Sequence, residues 1–441
     1  MNLVLFLDDM YLAGLDGVQR VWEQPEFLGE NDGSDIALSS VIFDPSKSCF
    51  RAWSKDWIKD TASLYESDNG LDWHLTDSTL KLFPKQNFFE QNWLYDPFDS
   101  NPEQRYKMIS WPYEENTYGG RGVLSTSPDG DNWTLHKDWK WSNEFGNGSD
   151  TNNNIFYNPH NQTWNIICRK FHADRRVVIV QSKDLINWSK PRIILQPDAL
   201  DKPLTEFYGM DSLLYENEYF IGALQVFATS RHECGEKPER IKMSGHIYPQ
   251  LTYSYDGEYW QRSGREQLIP YQSPGSSCSS VMYPTINQGG DKKIYFHVRS
   301  ESRDHGVPEN TQRRSKKVYT MRRDGFAALT PVGGCGEVTT QVFAPEGDDM
   351  TINYFAPYGE VAVQITDFEE KPIPGFTYED AVVMNGDSTD ETVKWKSGKT
   401  IADLKGELIR IQIRLLDAKL YALRMKSKFF SVYTVDPVEY L

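Results

Sequence analysis

Four acidic residues occupy similar places before short apolar segments in the sequence. Asp35, Glu90, Asp150 and Glu206 lie 15, 16, 14 and 13 residues before an aromatic residue of a following segment. Carboxyl groups that share one pocket repel each other when charged, and partial burial adds to this, so some of their pKa values rise. Cleavage of a glycosidic bond requires one carboxylic acid that keeps its proton and one ionised partner. The spacing therefore predicts one acidic site capable of acid/base chemistry.

Further polar and aromatic side chains stand near the same segments and are candidates for ligand contact. Arg169, His172 and Arg175 follow the segment Trp164–Cys168 and suit a sugar hydroxyl or carboxylate, with a salt bridge to a neighbouring blade as the alternative. Tyr208 suits stacking on a sugar ring, with core packing as the alternative. The predicted binding residues are Glu90, Arg169, His172, Tyr208, His297, Arg299 and His305.

Several other chemistries lack their sequence signals. The eight histidines and five cysteines show no metal-ligand spacing, and there is no phosphate-binding loop or Gly-x-Ser-x-Gly elbow. We therefore expect no metal and no cofactor. A net charge of −16 disfavours nucleic acid and anionic membranes as partners. The first apolar stretch, Leu3 to Leu7, is too short for a signal peptide or a membrane span, so a cytoplasmic location is expected.

The elements that would position these residues are indicated by an internal repeat. A serine is followed six residues later by tryptophan in four segments. They are Ser67-Asp-Asn-Gly-Leu-Asp-Trp73, Ser127-Pro-Asp-Gly-Asp-Asn-Trp133, Ser182-Lys-Asp-Leu-Ile-Asn-Trp188 and Ser254-Tyr-Asp-Gly-Glu-Tyr-Trp260. Asp-Gly and Asn-Gly steps favour tight turns, and the Ser and Asp side chains bond to nearby backbone N–H groups. Each segment is therefore predicted to be a β-hairpin whose tryptophan seals the gap between neighbouring sheets.

A pair of short apolar strands precedes each hairpin, and a fifth pair follows the last one. With tryptophans 60, 55 and 72 residues apart, the pattern predicts five units of about four strands. Residues 1–333 are therefore expected to form a five-bladed β-propeller that carries the catalytic residues. Beyond Gly333-Gly-Cys-Gly the motif stops and alternating strands follow. These predict a C-terminal antiparallel β-sandwich over residues 334–441, so the fold class is all-β.

The blades, hairpins and sandwich resemble the five-bladed propeller glycoside hydrolases of the furanosidase type, families 32, 43, 68 and 117. The sequence is more closely similar to a group of largely uncharacterised bacterial family 32-like propeller proteins. The shared segments are Leu5–Asp9, Phe207–Met210, Arg322–Phe326, Gly336–Thr340, Pro372–Phe376, Gly386–Ser388, Val393–Trp395 and Leu415–Tyr421. The resemblance implies three catalytic acids. By position these are Asp35 as transition-state stabiliser, Asp150 as base or nucleophile, and Glu206 as general acid.

The expected function is that of a glycoside hydrolase acting on an oligosaccharide, with furanosides among the candidate substrates. The separation of acid and base would decide the outcome at the anomeric carbon: about 5–5.5 Å implies retention and about 6.5–9.5 Å inversion. The alternative from another class is a non-catalytic carbohydrate-binding propeller, which a catalytic acid occupied by an arginine would favour. A sialidase-like or phosphorolytic enzyme is a third candidate.

Overall fold

The computed structural model describes residues 2–31, 36–54, 61–81, 87–97, 99–113, 122–141, 153–171, 174–229, 245–262, 264–269, 279–286, 292–301 and 314–430. The chain divides into two compact units. Pro25–Arg322 form one unit, and Met1–Gln24 together with Arg323–Leu441 form the other. The predicted boundary after residue 333 differs from this division at both ends. The difference arises because the first three strands pair with C-terminal strands, which local sequence patterns do not indicate.

The strands before the first blade serve both units. They are β1 (Leu3–Leu5), β2 (Leu12–Asp16), β3 (Val18–Trp22) and β4 (Glu26–Glu30). Of these, only β4 belongs to the unit Pro25–Arg322.

The first three blades are antiparallel four-stranded sheets in which consecutive strands are neighbours. Blade one contains β5 (Ile42–Asp44), β6 (Cys49–Trp53), β7 (Thr61–Ser67) and β8 (His74–Lys81). Blade two contains β9 (Asn87–Tyr95), β10 (Tyr106–Tyr113), β11 (Gly122–Ser127) and β12 (Thr134–Trp141). Blade three contains β13 (Asn154–Asn158), β14 (Thr163–Phe171), β15 (Arg175–Ser182) and β16 (Arg192–Leu195).

The last two blades complete the predicted five-bladed propeller. Blade four contains β17 (Thr205–Tyr215), β18 (Tyr219–Thr229) and β19 (Gly245–Ser254). In the place of a fourth strand, the residues described here form one antiparallel bridge, Tyr253 to Gln261. Blade five contains β20 (Ser279–Ile286), β21 (Ile294–Glu301), β22 (Arg314–Met321) and, as its outermost strand, β4. The N-terminal side of the chain therefore completes the last blade.

The four Ser-to-Trp segments form the predicted turns. In the second of them the Ser127 hydroxyl accepts from Gly130 N–H at 2.9 Å, and Asp129 accepts from two further backbone N–H groups. The fourth position of the segment has a positive φ in every copy, 71°, 75°, 62° and 75° at Gly70, Gly130, Leu185 and Gly257. This conformation explains why three of the four copies have glycine there.

Each hairpin tryptophan packs where two blades meet, as predicted. Trp73 lies with Phe50 of blade one and Tyr295 of blade five. Trp133 packs against Trp53 and Trp93, from blades one and two. Trp188 and Trp260 occupy the same place between blades two and three and between blades three and four. The core of the propeller is therefore a series of apolar layers between blades.

The other unit is a barrel-like or sandwich-like β domain of nine strands. To β1, β2 and β3 it adds β23 (Ala327–Pro331), β24 (Cys335–Thr340), β25 (Val342–Asp367), β26 (Met384–Thr392), β27 (Ile409–Leu416) and β28 (Lys419–Phe430). Its long pairings are antiparallel; in β25 and β27, for example, Glu360 lies opposite Leu416 and Asp367 opposite Ile409. Short 3-10 helices occur at Leu38–Ser40, Pro102–Gln104 and Ile401–Leu404. Within the described ranges, no helix is long and apolar enough to span a bilayer.

Candidate functional site

Glu206 stands near the start of β17, at the place where the sequence predicts a catalytic acid. Its side chain is buried, with 1% of the residue exposed. Arg175 Nη1, at the start of β15 in the neighbouring blade, donates a hydrogen bond to Glu206 Oε2 and forms an ion pair with it. The contact joins blades three and four at the end of the propeller where β17 begins.

A second arginine and an aromatic residue adjoin this ion pair. Arg169 Nη1 on β14 donates to the backbone carbonyl of Tyr208 at 3.0 Å, and its guanidinium lies 4.3 Å from the centroid of the Tyr208 ring. The Arg175 guanidinium lies 5.3 Å from the ring of Phe227, which meets the Tyr208 ring edge to face. Two guanidinium groups, two aromatic rings and one carboxylate thus form a single buried cluster, which we call the Glu206 cluster.

A β-bulge produces this arrangement. The pairing of β17 with β18 shifts between Phe207 and Gly209, so Tyr208 is the extra residue of the bulge. A similar shift occurs in blade two, where Glu90 pairs with Trp111 and Phe89 is the extra residue. Bulges bend a strand and redirect its side chains, and they are frequent beside active sites. The bulges in blades two and four lie beside the two glutamates that the sequence selected.

The Glu206 cluster constrains the chemistry that Glu206 can perform. Hydrogen bonds from a guanidinium stabilise the charged form of a carboxylate. Arg175 therefore fixes the orientation of the Glu206 carboxylate. The predicted role of Glu206 as proton donor stays a prediction, and it was based on the apolar neighbours of Glu206 without Arg175.

Tyr208 is a packed residue. Only 8% of it is exposed, and its ring contacts Phe227 and the guanidinium of Arg169. The expected stacking on a sugar ring is therefore wrong in this conformation, because protein groups already occupy the contacts of the ring. Arg169, with 2% of its surface exposed, is likewise part of the cluster and does not lie free in a funnel.

His297 was predicted to contact ligand, and the structure corrects this. The residue is completely buried on β21, and its ring lies 6.1 Å from Phe50 and 6.4 Å from Trp73. Its Nε2 is 3.3 Å from the hydroxyl of Thr285. Burial lowers the pKa of the imidazole to about 3, so the ring is neutral at physiological pH. His297 belongs to the layer between blades five and one.

The remaining predicted residues are only partly described. Arg299 is half-buried on β21. Glu90 lies on β9, and its side chain is outside the described part of the structure. Asp35, Asp150, His172 and His305 lie outside the described residues, so their roles stay predictions. Among the described residues, no group of three or more His, Cys, Asp or Glu side chains could hold a metal ion.

Sequence reasoning named Arg175 but did not pair it with Glu206. It was a candidate for ligand contact, with a salt bridge to a neighbouring blade as the alternative, and the structure shows the salt bridge. Phe227 gave no signal, because it lies in a long apolar strand. The pairing of blades three and four is what brings both side chains to Glu206.

Comparison with known proteins gives similar structures but no sequence family. No family model and no curated protein sequence matches this chain. A solved N-acetylgalactosamine deacetylase from F. plautii, in complex with blood group B trisaccharide, is 15% identical over 70% of this chain and 97% of its own, with a TM-score of 0.46. A thermostable family-43 glycoside hydrolase is 12% identical over 68% and 95%, with a TM-score of 0.47. The Bombyx mori GH32 beta-fructofuranosidase is 12% identical over 95% of both chains, with a TM-score of 0.42.

Proposed function

We propose that this protein is a glycoside hydrolase that acts on an oligosaccharide at the end of the propeller where β17 begins. The observation that carries the proposal is the buried Glu206 at the start of the fourth blade's first strand, bonded to Arg175 and placed beside a β-bulge. A buried, oriented carboxylate is the group that stabilises or attacks the positively charged sugar of the transition state.

The assignment of roles within the proposal follows from the ion pair. In this proposal Glu206 serves as the carboxylate that stabilises or attacks the sugar, because Arg175 pairs with it and orients it. The proton donor is then one of the other acids that the sequence selected, with Asp35 and Asp150 as the first candidates. Arg175 is a positioning residue: it acts by orienting the carboxylate of Glu206.

The experiment is a screen of the purified protein against nitrophenyl furanosides and pyranosides, followed by kinetics of Glu206→Gln on the best substrate. We expect kcat to fall at least about 100-fold, the lower range for loss of a catalytic acid or base. Glu258→Gln is the matched control, because Glu258 is also paired with an arginine, Arg192 at 3.3 Å, but lies in the turn of a hairpin. Wild-type rates in Glu206→Gln would overturn the assignment of this residue.

A non-catalytic carbohydrate-binding propeller is the second candidate, and one observation favours it. The ion pair with Arg175 occupies Glu206, as expected of a structural carboxylate. This candidate predicts saturable oligosaccharide binding, no turnover of any glycoside in the screen, and no change of affinity in Glu206→Gln. Turnover by the wild type that disappears in Glu206→Gln would exclude it.

A further inference from the structure

A cavity of about 460 Å³ lies along the axis of the propeller. We call it the channel pocket. The first strand of every blade contributes to its wall, since residues of β5, β9, β13 and β17 and one residue of β20, Thr285, line it. Its volume is within the range of about 300–1,000 Å³ typical of small-molecule sites.

The channel pocket is distinct from the Glu206 cluster. Its lining contains the later residues of β17, from Asp211 to Leu214, whereas Glu206 stands near the first residue of that strand. Asp211 follows Glu206 by five positions along β17, and each position of an extended strand adds about 3.3 Å. None of the side chains of the Glu206 cluster lines the pocket. The pocket is bordered by prolines at the opposite ends of three first strands, Pro45, Pro97 and Pro159.

Three blades supply an aromatic ring to the wall from the same strand position. Phe43, Tyr95 and Tyr157 are all partly exposed. Each is held by a ring of the next strand, with centroid distances of 5.2, 4.8 and 5.0 Å to Phe50, Tyr106 and Trp164. The rings are therefore fixed before any ligand arrives, which reduces the entropy lost on binding.

The polar part of the wall contains two amide side chains, those of Asn154 and Asn92. Only 7% of the Asn154 surface is exposed. Its Oδ1 accepts hydrogen bonds from the Ser212 N–H at 3.2 Å and from the Ser212 hydroxyl at 2.8 Å. These bonds use the oxygen only, so the amide nitrogen has two N–H donors without a partner among the described residues. In blade two, Asn92 Oδ1 likewise accepts from the Ile155 N–H at 3.0 Å, and Asn92 Nδ2 makes only a long contact of 3.4 Å to Ser39 O. Both amides line the pocket, so their N–H groups can donate to water or to a molecule bound there.

The charges of the wall restrict the ligand. The described lining contains no lysine, arginine or histidine, so nothing attracts an anion. It contains two acids, and one of them, Asp96, is paired with Lys107 at 3.7 Å. Asp211, whose Oδ2 accepts from Gln225 Nε2 at 3.2 Å, is the other acceptor in reach. A wall of fixed aromatic rings, amide groups and one carboxylate acceptor matches a neutral molecule with an apolar face and several hydroxyl groups.

We propose that the channel pocket binds one ring of a neutral sugar, a pentose or a hexose. The amide N–H groups of Asn154 and Asn92 donate hydrogen bonds to hydroxyl oxygens of the sugar, and the Asp211 carboxylate accepts a hydrogen bond from one hydroxyl group. The rings of Tyr95 and Tyr157 cover the apolar face of the sugar. This site lies apart from the proposed hydrolytic site and does not depend on it.

The test is calorimetric and NMR titration of the full chain with D-glucose, D-galactose, D-fructose and L-arabinose, each up to high millimolar concentration. We expect saturable binding of at least one of these sugars. Leu214→Trp narrows the pocket from its wall, and Asn154→Asp keeps an acceptor for Ser212 but removes the N–H donors. Each substitution should weaken binding at least tenfold.

Two controls separate this site from the Glu206 cluster and from misfolding. Glu206→Gln should bind the sugar as the wild type does, even if it abolishes turnover. Leu200→Trp adds the same ring at a residue that is 79% exposed and outside the pocket, and should leave the affinity unchanged. Melting curves of all variants exclude a loss of binding through unfolding. No saturable binding of any of the four sugars would overturn the proposal. So would binding that is lost in Glu206→Gln, or binding that persists in both folded pocket variants.

Discussion

At the scale of single residues, contacts between neighbouring blades decide which of the predicted site residues are buried and which partners they have. The sequence predicted Glu206 just before the first strand of its blade, whereas the residue lies inside that strand, as the second residue of β17. It did not predict that Arg175 would bond to that carboxylate, because the two residues lie on different sheets and 31 positions apart. For the same reason His297 was expected in a funnel. His297 points to the opposite face of β21 from Phe296 and Val298. The sequence does not show that the neighbouring blade covers this face and excludes water from it.

The burial of His297 has a measurable consequence for stability. The unfolded chain takes up a proton on this residue near pH 6.5, whereas the folded protein resists protonation down to about pH 3. The free energy of unfolding should therefore fall as pH decreases through this window, by at most about 1.4 kcal/mol per pH unit. His297→Gln should flatten that part of the profile, as measured by denaturant unfolding at pH 7, 6, 5 and 4. His74→Gln, at an exposed residue, is the control and should keep the wild-type slope. Equal slopes in His297→Gln and the wild type would contradict this account.

At the scale of elements, the hairpins were the most predictable part of the fold. Their turns are determined by residues within seven positions, so the pattern of Ser, Asp, Gly and Trp carries nearly all of the information. The bulges in β9 and β17 were not predictable, because a bulge depends on the register of two strands. Where a fourth strand of blade four was expected, the described residues form one bridge, Tyr253 to Gln261.

One hairpin glycine should be far more sensitive to substitution than its counterpart in the neighbouring blade. A Cβ atom on Gly130 would lie 2.5 Å from Arg51 Nη1 and 3.0 Å from the Tyr106 ring. Arg51 cannot move easily, because it is fully buried and bonded to Asp44, Glu66 and Asp131. We expect Gly130→Ala to cost about 1–2 kcal/mol for its positive φ and about 1–3 kcal/mol more for overpacking.

Gly70→Ala is the matched control for this prediction. Gly70 occupies the same place in the hairpin of blade one with a similar φ of 71°, but its Cβ would meet only ordinary contacts at 3.4–3.5 Å. Thermal and urea unfolding should therefore rank Gly130→Ala as clearly less stable than Gly70→Ala. Equal losses would mean that the Arg51 network yields to the added methyl group.

At the scale of the whole molecule, the number of blades could be predicted from the sequence. The pairing of β4 with β22, which completes the last blade, could not. Five units follow from the repeat, but β4 is a short segment, Glu-Phe-Leu-Gly-Glu, without a marked pattern. It becomes the edge of blade five only through pairing with β22, at the far end of the propeller sequence. Pairing between distant segments also explains why the predicted domain boundary at residue 333 differs from the observed division, since β1, β2 and β3 pair with strands that follow the propeller.

Disrupting β4 should loosen the last blade selectively. Gly29 pairs with Val318, and proline at this position cannot donate a ladder hydrogen bond. We expect Gly29→Pro to speed hydrogen exchange in residues 26–31 and 314–321 and to lower the melting temperature, while blade three keeps its protection. Leu28→Ala, at the unpaired and exposed neighbour, is the control and should resemble the wild type. Unchanged exchange in Gly29→Pro would show that β4 does not close the blade in solution.

The position of β4 also imposes an order on assembly during translation. This strand leaves the ribosome before any strand of the blades, and its partner β22 emerges after all the other strands of the propeller. Until then the nascent chain carries an unpaired N-terminal strand, two of whose side chains, Phe27 and Leu28, stay largely exposed even after pairing. Such a strand is open to pairing with other chains, so synthesis beyond residue 321 is the point at which this hazard for aggregation ends.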